Sequence, residues 1–215
     1  MKSTELSILI GLVMVVAIGT FWGTQDRINW LLDAGWVVAG VPLIVVSHRW
    51  FPLTPLLYRL LVIHALVLMA GAYWTYEENP LGLWFQHLLG TSRNHYDRFG
   101  HFMQGFVPAI LFREIFVRCS PVHSGAWLVY FVLTSCLAFS ACFELLEWIA
   151  TLLSGSSADA FLGHQGDIWD AQWDMLWAIV GASLSLVVLS GWHDRNLKNM
   201  CWRRPDDASP GGSSV

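Results

Sequence analysis

Six apolar stretches, separated by short polar breaks, organise this chain. Residues 6–22 carry no charge and are long enough for a helix to cross a bilayer. A secretory signal competes for this stretch. Its one basic residue is Lys2, however, and Ala17-Ile18-Gly19 is a poor cleavage site ahead of Phe21 and Trp22, so an uncleaved first span is expected. Residues 30–47 form the second predicted span, with Asp33 near its start and His48-Arg49-Trp50-Phe51-Pro52 closing it. The third covers residues 56–76, with His64 inside and Tyr73, Trp74 and Tyr76 reading as an interfacial aromatic belt. Residues 77–96 are a long polar connection in which Pro80, Gly82 and Gly90 act as breakers. The fourth span, 97–117, holds Gly105 and Pro108, which predict a kink. The fifth, 127–153, is apolar until Glu144 and Glu147. Residues 154–166 are small and polar, hence loop. The sixth span covers 168–189, where Gly181, Ala182, Ser183 and Ser185 offer a close-packing face. Residues 205–215 are rich in Pro, Gly, Ser and Asp and read as a disordered tail. The pattern predicts an all-α membrane protein, one domain over residues 1–204 built as a bundle of six transmembrane helices.

Composition strengthens that reading. Of 215 residues, 55% are hydrophobic and 13% charged, against about 25% charged in soluble domains. The formal net charge of −4 comes without any basic tract, so no nucleic-acid partner is expected. Cys119, Cys136, Cys142 and Cys201 contain no Cys-x-x-Cys pair, which argues against a disulfide framework or a structural zinc knuckle. No internal repeat relates the two halves, which weakens an inverted-repeat transporter. Six spans place both termini on one side. Nine of the twelve lysines and arginines fall there, with only Arg27, Arg93 and Arg98 opposite, so the termini are expected in the cytoplasm.

This topology brings chemistry to one depth. Asp97 and His101 open the fourth span at the outer face, Glu144 and Glu147 close the fifth there, and Asp167, Asp170 and Asp174 open the sixth, with His164 just upstream. The spacings are three, four and seven residues, so each set shares a helical stripe. Ionisable groups entering a membrane are costly unless paired, hydrated or bound to a cation. Carboxylates held close cannot all ionise in a low-dielectric site; some take up protons or share a cation. Such an oxygen-rich cluster suits Ca, Mg or Mn, and a histidine extends the range to Zn or iron. The candidate catalytic residues are therefore Asp97, His101, Glu144, Glu147, Asp167, Asp170 and Asp174, and the candidate ligands of a divalent cation are His101, Glu147, Asp170 and Asp174. A cation there could polarise a phosphoryl or carbonyl oxygen; without one, a carboxylate or His101 could act as general base on a lipid headgroup. In the competing view the acids pair with Arg98 and His101 and only fasten helices. Arg113-Glu114 reads as an interfacial pair at the far end of the fourth span, and His64 as a hydrogen-bonded interior histidine. Trp148, Trp169 and Trp173 flank the acids and could shape a lid.

The runs His95-Tyr-Asp-Arg-Phe-Gly-His101-Phe, Glu144-Leu-Leu-Glu147-Trp and Gly166-Asp-Ile-Trp-Asp-Ala-Gln-Trp-Asp174-Met resemble the YjdF family of bacterial inner-membrane proteins. The resemblance covers the chain up to its tail; it implies a multi-pass protein of the bacterial inner (plasma) membrane and supplies no mechanism. Asp97, Arg98 and His101 are also similar to the element that opens one helix of VanZ-like membrane proteins. Glu144 or Glu147 matches their middle-helix acid, and Asp170 and Asp174 their last-helix motif, with Ala178 standing where that motif has Asn. This second likeness implies an envelope-facing site.

Three functions remain open at this point. The first is an enzyme or binding site for a polar group of an envelope lipid or lipid-linked precursor, with a divalent cation. The second is a small proton- or cation-coupled carrier that uses the acids as relays. The third is a non-catalytic assembly protein. Membrane lipid is the expected partner in the first, and a homo-oligomer is compatible with all three.

Overall fold

The computed structural model describes residues 3–154 and 165–200, and among them every regular element is a helix. The helices are α1 (Ser3–Gly23), α2 (Arg27–Ser47), α3 (Pro55–Trp74), α4 (Pro80–Leu89), α5 (Tyr96–Cys119), α6 (Ala126–Ser154) and α7 (Asp170–Asn199). His164 and the tail at 205–215 lie outside the described residues.

α1, α2, α3, α6 and α7 are long and apolar enough to cross a membrane. α5, the expected fourth span, is equally long but too polar to join them on composition, because Asp97, Arg98, His101, Gln104, Arg113, Glu114 and Arg118 all lie on it. Packing explains how such a helix is accommodated. α5 lies against α3, α6 and α7 and buries fourteen of its residues. The apolar helices are its solvent.

The closest of these contacts is between α5 and α7. A Cβ on Gly105 would sit 1.8 Å from the carbonyl oxygen of Ala178, and one on Gly181 would sit 2.0 Å from that of Phe102. Two glycines, one on each helix, thus let the backbones touch, as small residues do between membrane helices. Of the predicted close-packing face, Gly181, Ala182 and Ser185 are buried, and Ser183 is half-buried. Three apolar clusters complete the core. Val13, Trp30, Ala34 and Met69 join α1–α3; Leu57, Leu60, Val107 and Ile110 join α3 to α5; Ala109, Val132, Cys136 and Ala182 join α5, α6 and α7.

Two elements differ from the sequence expectation. α4 occupies part of the polar connection, and the supposed breakers are its boundaries. Asn79 caps it by accepting from Leu81 N, Pro80 sits in the first turn, and Gly90 closes it at φ 63°, a left-handed conformation that favours glycine. Gly82 is inside because Asn94 leaves no room there, with Asn94 Oδ1 1.7 Å from an added Cβ. α7 also continues ten residues past the expected end at 189, because His193 and Leu197 are still buried against neighbours.

The helices alternate in direction. The starts of α1, α3 and the ends of α2, α5 and α7 gather at one end of the bundle, which is basic. The other end, with the starts of α5 and α7 and the end of α6, is acidic. Arg59 on α3 meets Glu5 on α1 at the basic end, where Glu114 of α5 also joins Thr54, just before α3, to His193 of α7.

Candidate functional site

The acidic end is assembled from loops that are tied down before the helices begin. Asn94 donates through Nδ2 to the carbonyls of Glu77 and Asn79 and accepts from Tyr96 N, fixing the start of α5. Gln165 pairs with the Asn94 backbone on both sides, accepting from its N–H and donating to its carbonyl, which ties the entrance of α7 to that of α5. Asp167 Oδ1 accepts from Trp169 N and shapes the turn before α7. The side chains above them are therefore presented by anchored backbone.

Within this frame the predicted residues converge. His101 Nε2 lies 3.4 Å from Glu144 Oε1 and 3.7 Å from Asp97 Oδ1. Asp97, His101 and Asp174 each offer a ligand atom, all within 4.8 Å of one another, and all three residues are buried. Glu147 lines a small cavity with Tyr76, Asp97, His101, Gln104 and Phe143, with about 20 Å³ for the centre of a water-sized sphere. That is room for one water or one ion. Asp170 is held at 2.5 Å by Arg93, which also reaches Asp97 Oδ2 at 3.4 Å. Asp167 is farther out, bonded at 2.8 Å to Arg98, whose guanidinium lies over Trp173. The geometric triad is thus Asp97, His101 and Asp174, with Glu144 beside it. Of the ligands predicted from sequence, Asp170 is engaged by Arg93 and Glu147 borders the adjoining cavity.

The electrostatics follow from one hydrogen bond. His101 Nδ1 and Gln104 Oε1 are 3.0 Å apart, so Nδ1 carries the hydrogen and Nε2 turns toward Asp97 and Glu144. A bare lone pair facing two carboxylates is repulsive. The repulsion is relieved by a second proton on the ring, by a proton on Asp97 or Glu144 that donates to Nε2, or by a cation between the groups. Asp174 Oδ1 and Glu144 Oε1 are buried without a hydrogen-bond partner among the described residues, and buried acceptors of this kind are costly until something donates to or ligates them. Two arginines and one histidine face the acids of three helices, and the acids are in excess.

Sequence reasoning passed over several of these groups. Asp33, buried on α2 with Asn29 Nδ2 donating to it at 3.4 Å, lies within Coulombic reach of Asp97; a lone acid near the start of an apolar run gave no partner to link it with. Tyr76, read as part of an aromatic belt, turns inward against Gly71 and lines the cavity. Arg93, a loop arginine three residues before α5, is the principal counter-charge. At the bundle's other end, Arg113-Glu114 is a buried network where an interfacial pair was expected. Glu114 is fully buried and accepts from Thr54 N and Oγ1, Arg118 and His193 Nε2. His193 Nδ1 in turn accepts from Arg113, which reaches Asp194. A buried polar residue on each of α5 and α7, eighty positions apart, carries no spacing signal. Ala178 is fully buried with its backbone against Gly105. An amide side chain there would have to enter the closest helix contact of the fold.

The chain is similar to known membrane proteins over nearly all of the region described. It is 44% identical over 184 residues, 86% of this chain and 88% of the other, to the Inner membrane protein YjdF of Escherichia coli (strain K12). No solved structure matches it. The family described as "Predicted membrane protein (DUF2238)" matches residues 5–195, and with helices of this length and apolarity the chain belongs to that family of multi-pass inner-membrane proteins.

Proposed function

We propose that the acidic end faces the periplasm and that Asp97, His101 and Asp174 hold a divalent cation there, used to bind or act on a polar group of an envelope lipid or lipid-linked precursor. One observation carries the reading: an imidazole nitrogen and two carboxylates from α5 and α7 converge within 4.8 Å, while Gln104 fixes the histidine tautomer from behind. A hydrogen bond to the second ring nitrogen is the usual support of a metal-binding histidine. Glu144 stands ready as a further ligand or as a base. Mixed nitrogen and carboxylate donors favour Zn or Mn over Ca and Mg, which take oxygen ligands. Bound there, the ion would polarise a phosphoryl or carbonyl oxygen.

The carrier reading is weaker. It needs a polar route along α5 toward Glu114, but Val107, Ala109 and Ile110 are completely buried and apolar between the two ends. The test is elemental analysis of protein purified without chelator, with His101→Gln and Asp174→Asn alongside. About one equivalent of Zn or Mn in the parent, lost in both variants at unchanged helicity, supports the site. A metal-free parent that also fails to bind added Zn or Mn in calorimetry removes the cation. Preserved function in both variants, scored by complementation, leaves only helix fastening.

A further inference from the structure

Beside the acid pocket, on the other side of α5, is a second cavity of about 580 Å³. It lies within the range of pockets that enclose small organic ligands, about 300–1,000 Å³. Leu81, Phe85 and Leu89 of α4, Phe99 and Phe102 of α5 and Trp177 of α7 wall it with hydrocarbon. α4 has only ten residues, about 15 Å at 1.5 Å per residue, which is half of what a bilayer crossing requires. Its outer side is nonetheless apolar, with Trp84 and Leu88 each more than half exposed. A short capped helix with such a surface is suited to lie at the level where chains meet headgroups.

The rim of the cavity supplies the polarity that its walls lack. His95 and Arg98, three residues apart at the start of α5, line it together with Tyr96, whose hydroxyl is taken up by the Val67 carbonyl. Arg98 gives one amino group to Asp167, but its buried Nε has no hydrogen-bond partner among the described residues. The partly exposed Arg98 guanidinium, bonded to Asp167 and lying over Trp173, therefore brings a positive charge to the edge of an apolar slot.

We infer that this cavity binds a glycerophospholipid, with an acyl chain under α4 between α5 and α7 and the phosphate against Arg98 and His95. Charge complementarity at the rim selects the phosphate, and the walls select the chain. Binding of the lipid stands independently of the proposed function; delivery of its headgroup to Asp97 and His101, on the other face of the same first turns of α5, rests on that reading.

The test uses the full chain in nanodiscs with two photoactivatable lipids bearing the same diazirine acyl chain, a phosphatidylglycerol and a diacylglycerol. Peptides are then mapped by mass spectrometry. Label from the phospholipid should concentrate on α4 and the first turns of α5, exceeding that from the diacylglycerol by about tenfold, the ratio expected when one charge-assisted contact is lost. Arg98→Gln should remove the difference, and Leu89→Trp should reduce labelling by both lipids by filling the slot. Uniform label over all lipid-facing helices, or equal label from both lipids in the parent protein, overturns the inference whatever the variants do. Labelling retained in Asp174→Asn together with lost metal leaves the lipid site standing alone. Metal retained without localised labelling leaves the cation site alone.

Discussion

His95 shows what neighbouring charge does to a single residue. Burial, followed by the nearby Arg98 and Arg93, pulls its pKa below the ordinary histidine value, because each disfavours a proton on the ring. Arg98→Gln removes one of these charges and should move the His95 titration upward toward about 6.5, as read from its Cε1 proton in NMR; a downward or absent shift contradicts the assignment. Because a bound phosphate would favour the charged ring, the same titration should also rise when phospholipid is present. Glu114 illustrates the opposite case, a buried acid whose partners are complete. Glu114→Gln removes the charge opposite Arg118 and turns one of the two acceptor oxygens into an amino group that faces donors, and should cost about 3–5 kcal/mol, measured as loss of resistance to denaturation in detergent. Arg59→Ala breaks only the exposed pair with Glu5 and should cost less than about 1 kcal/mol. The sequence displayed the acids, since Asp97, His101, Glu144 and Asp174 stand out against apolar runs. It did not display Asp33, Asn94 or Arg93, whose roles depend on which loops and helices meet.

Among elements, the long helices were legible because hydrocarbon-length apolar runs have few alternative fates. α4 was not, because proline and glycine mark both breaks and boundaries, and only the capping by Asn79 and Gly90 decides between them. The polar end of α7 was missed for a related reason. Hydropathy falls where the chain leaves the apolar layer, but hydrogen bonding from His193 keeps the helix going. The α5–α7 crossing makes a sharp prediction. Gly105→Ala places a methyl group against a carbonyl oxygen and should cost at least about 1–3 kcal/mol, the usual penalty of overpacking. Gly35→Ala, on α2 with nothing within 4 Å of the added carbon, should be neutral or stabilise by up to about 1 kcal/mol through helix propensity. Thermal aggregation midpoints of the two variants, compared in one detergent, check the pair. Equal losses would mean that the contact is not tight.

For the whole molecule, nine of twelve basic residues on one side set the expected orientation. Alkaline phosphatase joined after residue 200 should be inactive in cells, and the same enzyme inserted between α4 and α5 should be active. The reverse pattern would turn the acid pocket to the cytosol and remove its access to the envelope. Both polar networks hang on α5, the least apolar of the long helices and the one most enclosed by the others. A hydropathy scan weighs each segment against lipid, whereas α5 is solvated by protein. That is why its length could be read in advance while its central place could not.

The touching backbones of α5 and α7 also limit how the pocket can work. Asp97 and His101 on one helix and Asp174 on the other are carried by a pair with no gap to widen, so they behave as a single fixed jaw. Glu144 and Glu147 ride on α6, which meets that pair through side chains and the Cys136 thiol near Gly105. The α6 side is therefore the more yielding wall of the pocket, and a crosslink stapling α6 to α5 should leave Asp97, His101 and Asp174 aligned while restricting that wall.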